Sequence, residues 1–230
     1  MPSYVIEPAA IPVLHVDGEA PVFPVRRVYC IGRNYAAHAI EMGGDPNREA
    51  PFFFQKNANN LDGSGEFPYP PKTSDVHHEV EMVVALKSGG TNIAVSEALG
   101  HVYGYAVGID MTRRDLQAKA KEAGKPWEIA KAFERSAPVS PLRPAAKVGH
   151  PDKGAITLTV NGQQRQEGDL AQMIWKVPEM ISYLSEYFEL AAGDVILTGT
   201  PSGVGPVAPG DVIEASVEGI GSFTVIVVAS

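Results

Sequence analysis

The sequence predicts an α+β fold made mostly of strands, and two patterns carry that prediction. From residue 155 onward short runs rich in Val, Ile and Thr recur, each bounded by Gly, Pro or Asn, and Asn161-Gly162 between residues 155–160 and 163–166 is the dipeptide of a tight hairpin. Helical periodicity is confined to a few short segments that do not alternate with strands, which favours a roll or barrel over stacked βαβ units. A chain of 230 residues with 44% hydrophobic and 20% charged residues has the size and balance of one folded domain.

Taken in order, residues 1–25 hold Pro2, Pro8, Pro12, Pro21 and Pro24 and read as an extended arm ahead of a domain spanning 26–230. Residues 27–31 form a short apolar strand that leads through Gly32 into a helix, with Asn34 as its cap and Gly43-Gly44 as its end, so that His38 and Glu41 share a face. Residues 51–56 and 79–86 read as strands, with a loop carrying Pro68, Pro70 and Pro71 between them. Residues 96–101 look helical, 103–110 look like a buried strand, and 112–123 form an amphipathic helix stopped by Gly124, which places Asp110 at a strand-to-helix corner. A helix over 178–188 precedes strands at 194–198, 211–217 and 222–228.

A net charge of −8 and a pI near 5.2 oppose general attraction to nucleic acid, so an anionic substrate needs local positive charge. The lone Cys30 sits in an apolar run and reads as a small buried residue, which fits a reducing compartment. With no Lys or Arg before Arg26, no signal-peptide pattern and no membrane-length apolar segment, the expectation is a cytoplasmic protein.

The stretch Asp75-Val-His-His-Glu-Val-Glu-Met82 places Glu79 and Glu81 on one side of a strand together with His77. Two readings stand: the solvated face of a half-buried strand, or a carboxylate pair neutralised by a cation or a proton. The non-alternating run Met82-Val-Val-Ala-Leu86 favours the second, because it looks buried on both faces. Asp110 is the candidate third ligand, or else a plain helix cap. Three carboxylates without cysteine select a hard divalent cation, Mg²⁺ or Mn²⁺ with Ca²⁺ as the alternative, over zinc. The two histidines lack the HEXXH spacing and suit hydrogen-bonding support.

The ordered motifs Gly32-Arg-Asn-Tyr-Ala-Ala-His38, His78-Glu-Val-Glu81, Gly108-Ile-Asp-Met-Thr112 followed by Arg114-Asp-Leu-Gln117, Ala130-Lys-Ala-Phe133, Arg165-Gln-Glu-Gly168 and Leu197-Thr-Gly-Thr-Pro-Ser-Gly-Val-Gly205 resemble the fumarylacetoacetate hydrolase family in its short acylpyruvate hydrolase branch. The resemblance runs from Tyr29 to the C-terminus and implies a mixed β-roll with short peripheral helices, found in many members as a homodimer. It assigns the metal to Glu79, Glu81 and Asp110, and gives His38, Glu41 and Lys131 catalytic places. Gln117 and Thr200 match its substrate-binding positions. The larger members' separate N-terminal domain has no counterpart here, which weakens fumarylacetoacetate as substrate.

The activity so implied is hydrolysis of a C–C bond in a small anionic keto acid, most directly fumarylpyruvate to fumarate and pyruvate in aromatic catabolism. His38 is the expected general base, oriented by Glu41, and Lys131 is a candidate to stabilise the departing enolate. Arg33, Lys56 and Arg114 are candidates for gripping a distal carboxylate, and Gly43 to Ala50 is a candidate lid. Oxaloacetate decarboxylation and isomerisation or decarboxylation of a hydroxyhexadienedioate suit the same scaffold. A structural Ca²⁺ site without chemistry would have no use for His38, Glu41 and Lys131.

Overall fold

The structure, a computed structural model, describes residues 3–37 and 50–230. Its centre is a six-stranded sheet ordered Arg143–Pro144, Val102–Ile109, Val80–Leu86, Asp194–Leu197, Arg27–Gly32 and Phe52–Lys56. Neighbours run antiparallel except Asp194–Leu197 and Arg27–Gly32, which are parallel.

Every residue of Val80–Leu86 is buried, and the period of two explains how. Val80, Met82, Val84 and Leu86 join one hydrophobic cluster with Tyr105, Val107 and Ile109, while Val83 and Ala85 join a second with Val28, Cys30 and Leu197. With both faces covered, the segment has no polar alternation to show.

The first cluster is closed by a five-stranded sheet ordered Gln163–Asp169, Ala155–Val160, Val212–Val217, Gly221–Val228 and Glu66–Pro68. Its hairpin turns at Asn161 (φ 53°) and Gly162 (φ 74°), the two positive angles that a type I′ turn requires. The helix Val177–Tyr187 lays Met180, Ile181 and Leu184 on the same core. The strand-rich mixed fold expected from the sequence is the fold observed.

Several details depart from expectation. Val13–Leu14 pairs with Phe23–Pro24, and Leu14, Val16, Phe23 and Val25 are buried in the second cluster, so the apolar residues of the proline-rich segment dock on the main sheet. Tyr4, Val5 and Ile6 remain exposed. The proline-rich loop holds a strand, Glu66–Pro68, at the edge of its sheet, where the missing proline N–H is not needed. Glu79 interrupts its strand, separating Val76–His78 from Val80–Leu86. The amphipathic helix begins at Arg114, because Thr112–Arg113 pairs with Val76–His78 before the chain turns. The short helix Glu128–Lys131 escapes periodicity arguments because it is four residues long.

Candidate active site

Glu79, Glu81 and Asp110 are all buried, and each offers a carboxylate oxygen within 4.8 Å of the others. Glu81 is brought opposite Gly108 by the register of Val80–Leu86 on Val102–Ile109, and Asp110 follows that second strand directly. The backbone tightens the corner, since Asp110 N–H donates to the Glu79 carbonyl at 2.8 Å.

The chain answers part of this negative charge itself. Lys131 Nζ lies 2.9 Å from Glu79 Oε2, 2.8 Å from Asp110 Oδ2 and 2.6 Å from Thr112 Oγ1. Burial works against its charge, yet Asp110 and Glu79 prevail and hold its pKa above the ordinary lysine value. These two carboxylates thus favour the charged form of Lys131. Arg114 Nη2 donates to Glu79 Oε1 at 2.6 Å, and its Nη1 donates to Gln117 Oε1 at 2.6 Å. Lys56 is 2.9 Å from Asp110 Oδ1 and donates to Ser136 Oγ at 2.9 Å and to the carbonyl of Lys131. Lys56 and Arg114 are thus tied into the carboxylate cluster as ion pairs, and Arg114 also lines the cleft described below.

Glu81 is the exception. Its Oε2 accepts from Gly199 N–H at 2.6 Å, and among the described residues no lysine or arginine bonds to it. Burial first, then repulsion from Asp110 and Glu79, pushes its pKa well above the carboxylate range. Asp110 Oδ1, although close to Lys56, accepts no aligned hydrogen bond. A fully buried carboxylate with no cation and a neighbouring carboxylate oxygen with an open lone pair are what a hard divalent cation would complete. The donor set fits one.

Gly199 has no substitute here. Its φ is 93° and an added Cβ would lie 2.7 Å from Asn34 Cβ. The helix that Asn34 is expected to cap runs outside the described residues, but the Asn34 side chain itself is placed. Its Nδ2 donates to the Thr198 carbonyl at 2.8 Å and its Oδ1 accepts from Trp175 N–H at 2.7 Å, fixing the loop that delivers Gly199 and Thr200.

Gln166, which the sequence offered only as part of a motif, joins two parts of the site. Val80 N–H can only donate and the Pro201 carbonyl can only accept, so their contacts at 3.0 and 2.9 Å set the amide orientation. Oε1 must then accept from Nδ1–H of His78 at 2.9 Å, and Nε2 must donate to Thr200 Oγ1 at 2.8 Å. Burial holds the His78 pKa down, consistent with a neutral ring of that tautomer. With Thr200 accepting from Gln166, its own hydroxyl proton is directed to a different acceptor. His77 bonds Asp75 at 2.9 Å, so neither histidine reaches a candidate ligand.

Glu79, Arg33, Arg114, Gln117, Lys131 and Thr200 line one cleft that opens to solvent. Lys121 lines it too and was not foreseen, although it stands seven residues after Arg114 and four after Gln117, on the same helix face. Phe52, Phe54 and Trp127 form an aromatic wall. His38, Glu41 and residues 43–49 of the expected lid lie outside the described residues.

The fold and this buried carboxylate cluster define a class. The family model for the fumarylacetoacetate (FAA) hydrolase C-terminal domain matches residues 27–228, and the chain belongs to that family. Among solved structures, a fumarylpyruvate hydrolase from Pseudomonas aeruginosa in complex with Mn²⁺ and pyruvate is 51% identical with a TM-score of 0.97, over 99% of this chain and 100% of that one. A protein from Burkholderia cenocepacia described as a fumarylpyruvate hydrolase by assignment is also 51% identical, with a TM-score of 0.94 over 100% of this chain and 96% of that one. Among characterised sequences, the oxaloacetate tautomerase YcgM of Escherichia coli is 42% identical over 86% of this chain and 90% of its own. The mitochondrial oxaloacetate decarboxylase of Dictyostelium discoideum is 41% identical over 85% and 90%.

Proposed function

We propose that this protein is a divalent-cation-dependent acylpyruvate hydrolase that splits fumarylpyruvate into fumarate and pyruvate. The observation that carries the reading is the buried Glu79, Glu81 and Asp110 cluster, whose Glu79 lines a cleft with cations and aromatic rings. The likeness to a fumarylpyruvate hydrolase described with Mn²⁺ and pyruvate supports it.

Glu79, Glu81 and Asp110 would hold the cation, which would supply positive charge to polarise the keto acid and offset the charge of the departing enolate. The chain's residues do the rest. Lys131, Lys56 and Arg114 hold Glu79 and Asp110 in place as ligands. Thr200 donates its proton to a substrate oxygen, oriented by Gln166. Gln117 is aimed by Arg114 and lines the same cleft.

His38 takes a proton from water while Glu41 orients the ring, roles assigned from the sequence. The water oxygen bonds to C4, the C3–C4 bond breaks, and its electron pair leaves as pyruvate enolate, which gains a proton at C3. The oxygen stays on the acyl fragment as fumarate.

Oxaloacetate chemistry is the second reading, favoured by the characterised relatives that tautomerise or decarboxylate that acid. The two separate in one assay: purified protein with Mn²⁺ or with EDTA is given fumarylpyruvate and oxaloacetate, and products are identified. Metal-dependent release of fumarate and pyruvate, with kcat/KM above that for oxaloacetate, supports the hydrolase; the reverse preference makes it an oxaloacetate enzyme. His38→Ala sharpens the distinction, because decarboxylation needs no water nucleophile. The proposed enzyme is a homodimer, as many members of its family are.

A further inference from the structure

We propose that Arg33 and Lys121 form a subsite for a carboxylate at the far end of the acyl group, so that the enzyme selects acylpyruvates whose acyl chain is flat and ends in a carboxylate. The inference rests on the hydrolase reading and adds the residues that choose the acyl group.

Among the described residues, five cations stand in or beside the cleft, and three are already engaged. Lys131 and Lys56 bond Asp110, and Arg114 bonds Glu79. Arg33 and Lys121 line the same cleft, and among the described residues neither pairs with a carboxylate. Burial and the nearness of Arg33 and Arg114 push the Lys121 pKa down, so among the described residues the amine meets like charge. In a chain of net charge −8, two cations turned to one cavity without a counter-ion make a site for an anion.

Local structure holds them there. Lys121 follows Arg114 and Gln117 on one face of the helix Arg114–Glu122. Arg33 adopts φ 56° directly after the strand Arg27–Gly32, a conformation uncommon for any residue but glycine. Gly32 beside it leaves room for the Phe52 ring, whose Cδ1 would lie 2.6 Å from an added Cβ. Phe52 packs on Trp127 at 5.0 Å between ring centroids, and Phe54 on Trp127 at 5.8 Å. A conjugated enedioyl chain is planar, and rings along its path offer it stacking area while a terminal carboxylate meets the two cations.

The test uses Mn²⁺-loaded wild type, Lys121→Gln, Arg33→Gln and Lys121→Arg. It compares kcat/KM for fumarylpyruvate with that for acetylpyruvate, which ends in a methyl group. Loss of one charge-assisted contact should cut the fumarylpyruvate to acetylpyruvate ratio about tenfold or more in Lys121→Gln and Arg33→Gln, mainly through KM, with recovery in Lys121→Arg. Calorimetry with fumarate and crotonate reads the subsite without turnover: fumarate should weaken in Lys121→Gln by about the same factor, and crotonate should bind weakly to both. A ratio and a fumarate affinity that both survive Lys121→Gln overturn the proposal. If wild type turns over neither acylpyruvate yet binds fumarate through Lys121, the hydrolase reading fails and the subsite stands.

Discussion

At the scale of single residues, the site is governed by which charges have partners. Glu79 and Asp110 are held by Lys131, Arg114 and Lys56, whereas among the described residues Glu81 has only the Gly199 N–H. Ionising Glu81 without a cation works against burial and two neighbouring carboxylates. Its folded pKa is raised, so the metal-free fold is relatively favoured below the ordinary carboxylate range and loses stability as pH rises toward the raised value. Thermal melts in EDTA should therefore show Tm falling between pH 5 and pH 8, and Glu81→Gln should flatten that fall while keeping the Gly199 contact. A Tm that rises over this interval and is indifferent to Glu81→Gln would refute the assignment. Lys56→Met is the opposite case: it takes the cation from Asp110 Oδ1, leaving Lys131 on Oδ2, and should cost about 3 kcal/mol, measured by urea unfolding.

At the scale of elements, the strand Val80–Leu86, the hairpin and the Gly199–Thr200 loop form one device, and Gln166 joins them. Thr200→Ser keeps a donor and should retain most activity, whereas Thr200→Val removes it. Gln166→Leu should lower kcat/KM about tenfold or more by freeing the Thr200 hydroxyl to turn and leaving Val80 N–H and the Pro201 carbonyl unpaired. If Gln166→Leu still impairs kcat/KM as much in a Thr200→Val background, Gln166 does not act through Thr200.

These elements also mark how far the sequence could be read. Glu79, Glu81 and Asp110 were legible because carboxylates beside an apolar run without alternation conflict with ordinary burial. The hairpin was legible because Asn-Gly answers a local backbone demand. Gln166 and Lys121 were not singled out, since a glutamine on a strand or a lysine on an amphipathic helix takes its meaning from what the tertiary fold sets opposite it. The carboxylate ties of Lys56 and Arg114 were hidden for the same reason, because charge pairing between distant segments leaves no local pattern.

At the scale of the whole molecule, the fold gathers Glu79, Glu81, Asp110, Lys131 and Gly199 into one buried cluster, from which Glu79 and Lys131 reach the cleft beside Thr200. A cation that binds only the folded chain must stabilise it. At a concentration of 100 Kd the gain is about 2.7 kcal/mol, which for a chain of this size raises Tm by roughly 5–10 °C. Differential scanning fluorimetry with Mn²⁺ should show that rise in wild type and little of it in Asp110→Asn. Sedimentation of the native protein tests the proposed homodimer, and a monomer at micromolar concentration would contradict it.

The central claim is that Glu79, Glu81 and Asp110 hold one divalent cation, and the most direct measurement is Mn²⁺ titration followed by electron paramagnetic resonance. Saturation at one Mn²⁺ per chain is expected in wild type, with loss of that binding in Glu81→Gln and in Asp110→Asn. Absence of binding in wild type, or binding of equal strength in both variants, would contradict it.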